Sequence, residues 1–172
     1  MSDSSGALMR GVAALLKLLI VLNIVSVFVL AAFFAASYAV EGPILAALAQ
    51  DYPTISPIRQ LQTARLAILI TAPMVPLAHL LLTRLRAIVG TVQAGDPFVA
   101  ANARRLTTIA WVLLGIQVVD LGYGVLSALA DIASMPGWSF SFTGWLAVLL
   151  LFVLARVFEH GARMRDELAA TI

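Results

Sequence analysis

Four long stretches without a charged side chain dominate the sequence. They are Leu18–Val40, Leu66–Thr83, Leu106–Val119 (continued past Asp120 by Leu121–Ala130) and Ile132–Ala155. A helix needs about 20 mostly apolar residues to cross roughly 30 Å of hydrocarbon. The pattern therefore predicts an all-α fold, a four-transmembrane-helix bundle forming a single integral membrane domain over residues 1–172. The spans are expected near 18–40, 66–83, 106–125 and 141–158. Composition agrees, with 62% hydrophobic and 12% charged residues, where soluble domains carry about 25% charged. The first apolar run of 23 residues exceeds the ~7–15 of a signal-peptide core, which predicts an uncleaved first span.

The placement of charge sets the expected topology. Arg10 and Lys17 precede span one, Arg84, Arg86, Arg104 and Arg105 lie between spans two and three, and Arg156, Arg163 and Arg165 follow span four. Those nine basic residues fall on one side, against Arg59 and Arg65 on the other. By the positive-inside rule both termini are expected in the cytoplasm. Basic residues divided among three segments read as topology control, so no direct nucleic-acid contact is expected. With no cysteine in the chain, disulfides and cysteine-bound metal are ruled out.

Local signals refine the elements. Residues 1–6 are polar and small, and are expected to be disordered ahead of a helix from about Leu8 to Val40. Ala31, Ala32, Ala35 and Ala36 have the small-xxx-small spacing that lets helices approach closely in lipid. Ile44–Ala49 reads as a short surface helix. Pro57 suits a helix start, and Pro73 and Pro76 predict a kink in span two. Gly95 suits the left-handed position that ends a helix, while Asp96 and Pro97 suit the cap and first turn of the next. A hairpin over 84–105 should thus project into the cytoplasm. A turn is expected around Met135-Pro136-Gly137, with Ser141 or Thr143 capping helix four. Its extension over 156–170 carries a stripe of Val157, Gly161, Met164 and Leu168, and Glu159 and Arg163 form a favourable i, i+4 pair.

Two motifs then suggest a family. Gly95-Asp96-Pro97-Phe98 is followed by Asn102, Arg104-Arg105-Leu106 and Trp111, and the chain ends on Val157-Phe158-Glu159-His160-Gly161-Ala162-Arg163-Met164-Arg165-Asp166-Glu167-Leu168 and Thr171-Ile172. Together these resemble the bacterial membrane family called domain of unknown function 2975, which also has four spans in this order. The resemblance implies a small bacterial inner-membrane protein of no established activity. Members are often encoded beside a small helix-turn-helix DNA-binding protein, which implies a cytoplasmic regulator as partner.

Candidate sites fall in two groups. Inside the spans, Asp120 is the only carboxylate, and intramembrane acids are functional candidates by default. Gln117 and Tyr123 share its face. A polar pocket or proton relay is one reading, and an ion pair with Arg65 or Arg59 near the outer interface is the other. His79 and Asn23 have similar depth and are expected to hydrogen-bond to each other. On the cytoplasmic side, Phe98, Asn102, Arg104, Arg105, Arg163, Met164 and Arg165 form the candidate partner surface, with Val92 and Leu168 adding apolar area. Anchoring to anionic lipid heads is the plain role for Arg104 and Arg105. No phosphate loop, nucleophile elbow or zinc motif occurs, so no catalytic residue, cofactor or metal is expected. The leading reading is a non-enzymatic membrane partner or sensor for a small cytoplasmic helix-turn-helix regulator. A small transporter or channel subunit, a stabilising subunit of a larger complex, and a homo-oligomer remain open.

Overall fold

A computed structural model describes residues 2–130 and 137–170, and within them the side chains of all but 2–5, 166 and 168–170. The expected turn at Met135-Pro136, the side chain of Leu168 and the closing Thr171-Ile172 lie outside the described residues. All regular structure described is helical: α1 (Ser2–Ala39), α2 (Glu41–Asp51), α3 (Pro57–Thr71), α4 (Met74–Gln93), α5 (Ala100–Ala130) and α6 (Phe142–Ala170). Four helical segments are long and apolar enough to cross a membrane: Gly6–Ala39, Pro57–Gln93, Ala100–Ala130 and Phe142–Arg165. With 31 residues, α5 extends about 46 Å at 1.5 Å per residue, well over the hydrocarbon thickness.

Most boundaries follow from local chemistry. Pro57 occupies the first turn of α3, where its missing N–H is no loss. The second span divides at Pro73, which separates α3 from α4. Pro73 and Pro76 supply no N–H to this turn, and the chain passes through it on the shorter bond from Val75 N–H to the Ala72 carbonyl, 3.2 Å. The Ser141 hydroxyl accepts from the Gly144 N–H at 3.2 Å and caps α6. One expectation fails at the start of the chain. Residues 2–6 continue α1 as helix.

The spans stand in chain order. Among the described residues, α6 packs on α5, α5 on α3 and α4, and α4 and α3 on α1, while α1 and α6 share no extensive contact. The bundle is therefore open, with the second span and α5 standing between α1 and α6. The buried face of α5 includes Ala103, Ala110, Gln117 and Gly124, spaced seven apart and so on one side of the helix. The facing helix α6 buries Val148, Ala155 and Ala162 at the same spacing. This seam of small residues is what brings α5 and α6 together. The alanine stripe of span one is not used this way: Ala31, Ala32, Ala35 and Ala36 are all exposed. Spacing alone does not decide which small-residue face finds a partner.

The outward faces are apolar. Phe28, Phe33, Leu129 and Phe142 are 71–75% exposed. Contiguous apolar surface of this kind is unfavourable in water and suits lipid.

Candidate functional site

The turn between α4 and α5 closes α4 in a Schellman arrangement. Gly95 adopts a φ of 81°, which its lack of a Cβ permits. Its N–H donates to the Val92 carbonyl at 3.1 Å, and the Asp96 N–H donates to the Thr91 carbonyl at 3.0 Å. The following helix does not begin at Pro97, as the sequence suggests, but at Ala100. Asp96 is therefore not its cap. The Asp96 carboxylate instead accepts from Arg165 of α6 at 2.5 Å, joining segments 69 residues apart.

Asn102 organises this turn. Its side chain is 0% exposed, so it is not part of a partner surface. The reason is its hydrogen bonding. Its amide nitrogen donates to the Thr91 hydroxyl at 2.6 Å and to the Pro97 carbonyl at 2.8 Å. Its amide oxygen accepts from Arg105 at 2.7 Å, and Arg105 also donates to the Ala87 carbonyl at 3.3 Å. One amide thus ties the end of α4, the loop and the start of α5 together, using both donors and its acceptor. Arg105 is turned inward by these bonds and contributes less to an outer surface than its sequence position suggests.

The second motif packs on the first. Phe98 and Phe158 lie with ring centroids 5.2 Å apart, and a Cβ at Gly161 would come within 3.3 Å of the Phe98 ring. Glycine at 161 lets the Phe98 ring lie close to the α6 backbone. Trp111 meets Phe152 edge-on at 5.3 Å. On the outside of α6, Glu159 accepts from Arg163 at 2.6 Å and from Arg156 at 3.2 Å. A cleft of about 290 Å³ between α5 and α6 is lined by Arg104, Thr107, Glu159 and Arg163. A second, of about 340 Å³, is lined by Arg84, Arg104, Arg105, Ala101 and Thr108. Phe98, Val92 and Met164 remain exposed beside this assembly.

The far end of α5 holds a second polar group. The Trp138 indole N–H donates to Asp120 at 3.1 Å, and the indole lies so close to Gly124 that a Cβ there would fall 2.5 Å from the ring. Gln117 is buried, its amide reaches the Ser141 carbonyl at 3.5 Å, and it occupies the space a side chain at 144 would take. Tyr123 is half-buried on the same helix. The expected ion pairs of Asp120 do not form. Arg59 donates to the Ala130 carbonyl at 3.2 Å. Arg65 bridges to Glu41 at 2.9 Å, donates to Ser37 and lies 3.7 Å over the Tyr38 ring. A carboxylate, a hydroxyl, a carbonyl and a π-face on α1 and α2 hold that guanidinium away from α5.

Asn23 and His79 do share one groove, of about 490 Å³, with Val27, Phe28 and Pro76. Their expected hydrogen bond is replaced by one from the Asn23 amide to the Val75 carbonyl at 3.2 Å. A helix carbonyl keeps a second lone pair, and the proline-broken turn of α4 presents one to α1. Among the described residues no three His, Asp or Glu side chains gather where a metal ion would fit.

Sequence reasoning missed Trp138 as the partner of Asp120, Gly144 as a contact position, and the Asp96–Arg165 pair. The joint presence of the two motifs was the available signal for their contact.

A family model described as a protein of unknown function (DUF2975) matches residues 43–172. The match contains both motifs and the last three spans. Comparison with curated proteins and with solved structures gave no match.

Proposed function

The chain belongs to this family of unknown function, and from that premise we propose that it is a multi-pass protein of the bacterial inner membrane whose cytoplasmic end holds a small helix-turn-helix regulator. Both termini lie in the cytoplasm in this reading. The nine basic residues that cluster beside the motif end support that orientation. No reaction of its own is assigned to it.

One observation carries the proposal. Two motifs far apart in sequence meet in a single head through Phe98–Phe158 and Asp96–Arg165, and yet the apolar side chains of Phe98, Val92 and Met164 stay exposed there. Exposed apolar groups rimmed by arginines suit a protein partner with an apolar and acidic face. The transporter reading has weaker support. Asp120 and Gln117 are each committed to contacts within the α5–α6 hairpin, while Asn23 lies on α1 across the bundle.

Because the chain has no cysteine, single-cysteine reporters test orientation directly. Ala94→Cys and Glu167→Cys are expected to be labelled from the cytoplasm and Gln50→Cys from outside. For the partner, the chain is co-expressed with a small helix-turn-helix protein of the kind the family resemblance implies and purified after mild crosslinking. Recovery of the pair, reduced several-fold by Met164→Asp, is the expected result. Labelling of 94 and 167 from opposite faces, or no crosslinked pair, would overturn the proposal.

A further inference from the structure

Six of the arginines at the motif end fall into two sets of three. On α6, Arg156 and Arg163 pair with Glu159, and Arg165 pairs with Asp96. On α4 and α5, Arg84, Arg104 and Arg105 line one cleft of about 340 Å³ with Ala101 and Thr108, and no carboxylate lines it. Among the described residues neither Arg84 nor Arg104 forms a salt bridge, and both are exposed. Glu159, which lines the adjoining cleft with Arg104, is already shared by Arg156 and Arg163, so the three like charges repel one another and an anion seated among them would relieve that repulsion.

We propose that this cleft binds a phosphate group, supplied by the headgroup of an anionic phospholipid. Two further features favour this ligand. First, the guanidinium of Arg105 is positioned before any ligand arrives. One of its nitrogens is held by the Asn102 oxygen at 2.7 Å and the Ala87 carbonyl at 3.3 Å, and Asn102 is itself fully buried. A guanidinium fixed in this way loses little freedom on binding, and its planar fork matches phosphate oxygens. Second, the cleft has the right height. Thr83, the last residue of the second uncharged stretch, directly precedes Arg84, and Leu106, the first of the third, directly follows Arg105. All three arginines therefore stand where the lipid-suited surface of two adjacent spans ends, which is headgroup level. Asn102 thereby acquires a second consequence, as the positioning residue of a ligand contact. The inference does not depend on the regulator proposed above.

The test uses the full chain purified in a neutral detergent, titrated separately with phosphatidylglycerol, phosphatidylcholine and inorganic phosphate. Thermal stability and native mass spectrometry provide the readouts. Saturable stabilisation by phosphatidylglycerol, with a retained lipid in the mass spectrum and little response to phosphatidylcholine, is the expected result. Arg84→Gln/Arg104→Gln should weaken it about tenfold or more, given two lost charge-assisted contacts. Arg156→Gln/Arg163→Gln removes as much charge from the same end and should leave it nearly unchanged. Each single change, Arg84→Gln or Arg104→Gln, gives an intermediate reading if the double variant does not fold. Saturable stabilisation by inorganic phosphate, lost in the same variants, would support the site with a soluble anion as its source. Equal response to phosphatidylcholine, equal loss in the Arg156/Arg163 variant, or no response to any of the three would overturn the proposal.

Discussion

Replacing Asn102 by leucine removes three hydrogen bonds while keeping the number of side-chain heavy atoms, so no cavity opens, and the bulkier methyl groups can only add to the cost. Two of the lost bonds are neutral, to the Thr91 hydroxyl and the Pro97 carbonyl, and one is accepted from the Arg105 guanidinium. A neutral bond contributes about 1 kcal/mol net and one to a charged group about 1.5–3 kcal/mol. Their sum is roughly 3–5 kcal/mol. The Pro97 carbonyl and Arg105 stay behind without their partner, which places the value toward the upper end. For a chain of this size about 1 kcal/mol shifts the melting temperature by ~2–4 °C, so a fall on the order of 10 °C is expected.

Melting followed by fluorescence-detected size exclusion in detergent measures it. Thr91→Val, which removes the bond accepted from Asn102 and the one donated to the Ile88 carbonyl at 2.7 Å, should cost about 1–2 kcal/mol. In the Asn102→Leu background its cost should fall by roughly half, because only the bond to the Ile88 carbonyl is then left to lose. Asn102→Asp retains the acceptor for Arg105 but turns an oxygen toward the Pro97 carbonyl, and should not rescue. An Asn102→Leu protein that melts within about 2 °C of the parent would refute the reasoning that one buried amide holds the α4–α5 turn.

Two further predictions concern the opposite end of α5. Gly124→Ala places a Cβ 2.5 Å from the Trp138 ring and should destabilise by about 1–3 kcal/mol through overpacking. Gly122→Ala, whose Cβ meets only Ile70 at 3.6 Å, should be close to neutral in the same melting assay. Trp138→Phe removes the donor to Asp120 and should cost about 1–3 kcal/mol, an effect that should shrink by more than half in an Asp120→Leu background. An undiminished effect there would show that indole packing, not the hydrogen bond, gives Trp138 its place.

Much of the fold was legible in the sequence because membrane partition sums over some twenty residues and tolerates local error. Pro57, Gly95 and Ser141 were legible for a different reason, since each satisfies or removes a specific backbone group at a helix end. What sequence gives within a membrane is height along the helix, and contact also requires azimuth. Asp120 and the two outer arginines were assigned to one level, but α1 and α2 hold Arg65 on the far side of α3. The same limit applies to Asn23 and His79, which share a groove without bonding to each other. At Asp96 two local rules competed. A capping role would start α5 at Pro97, but the Pro97 carbonyl is taken by Asn102 and the loop stays open for three more residues.

The contacts at the motif end are unequal, and their inequality gives a causal order. Asp96 and Arg165 are 39% and 52% exposed, and a pair so open to solvent contributes about 0–1 kcal/mol. It is too weak to hold α6 against the loop. The buried bonds of Asn102 are stronger and lie wholly within the α4–α5 turn, so they set the loop first. The set loop presents Phe98, whose ring then fits against Phe158 and the bare backbone at Gly161. The Asp96–Arg165 bridge adds little to that apolar contact. A ligand or partner acting on this end would therefore work through Phe98 and Asn102, while the Asp96–Arg165 bridge would report the state of the head without determining it.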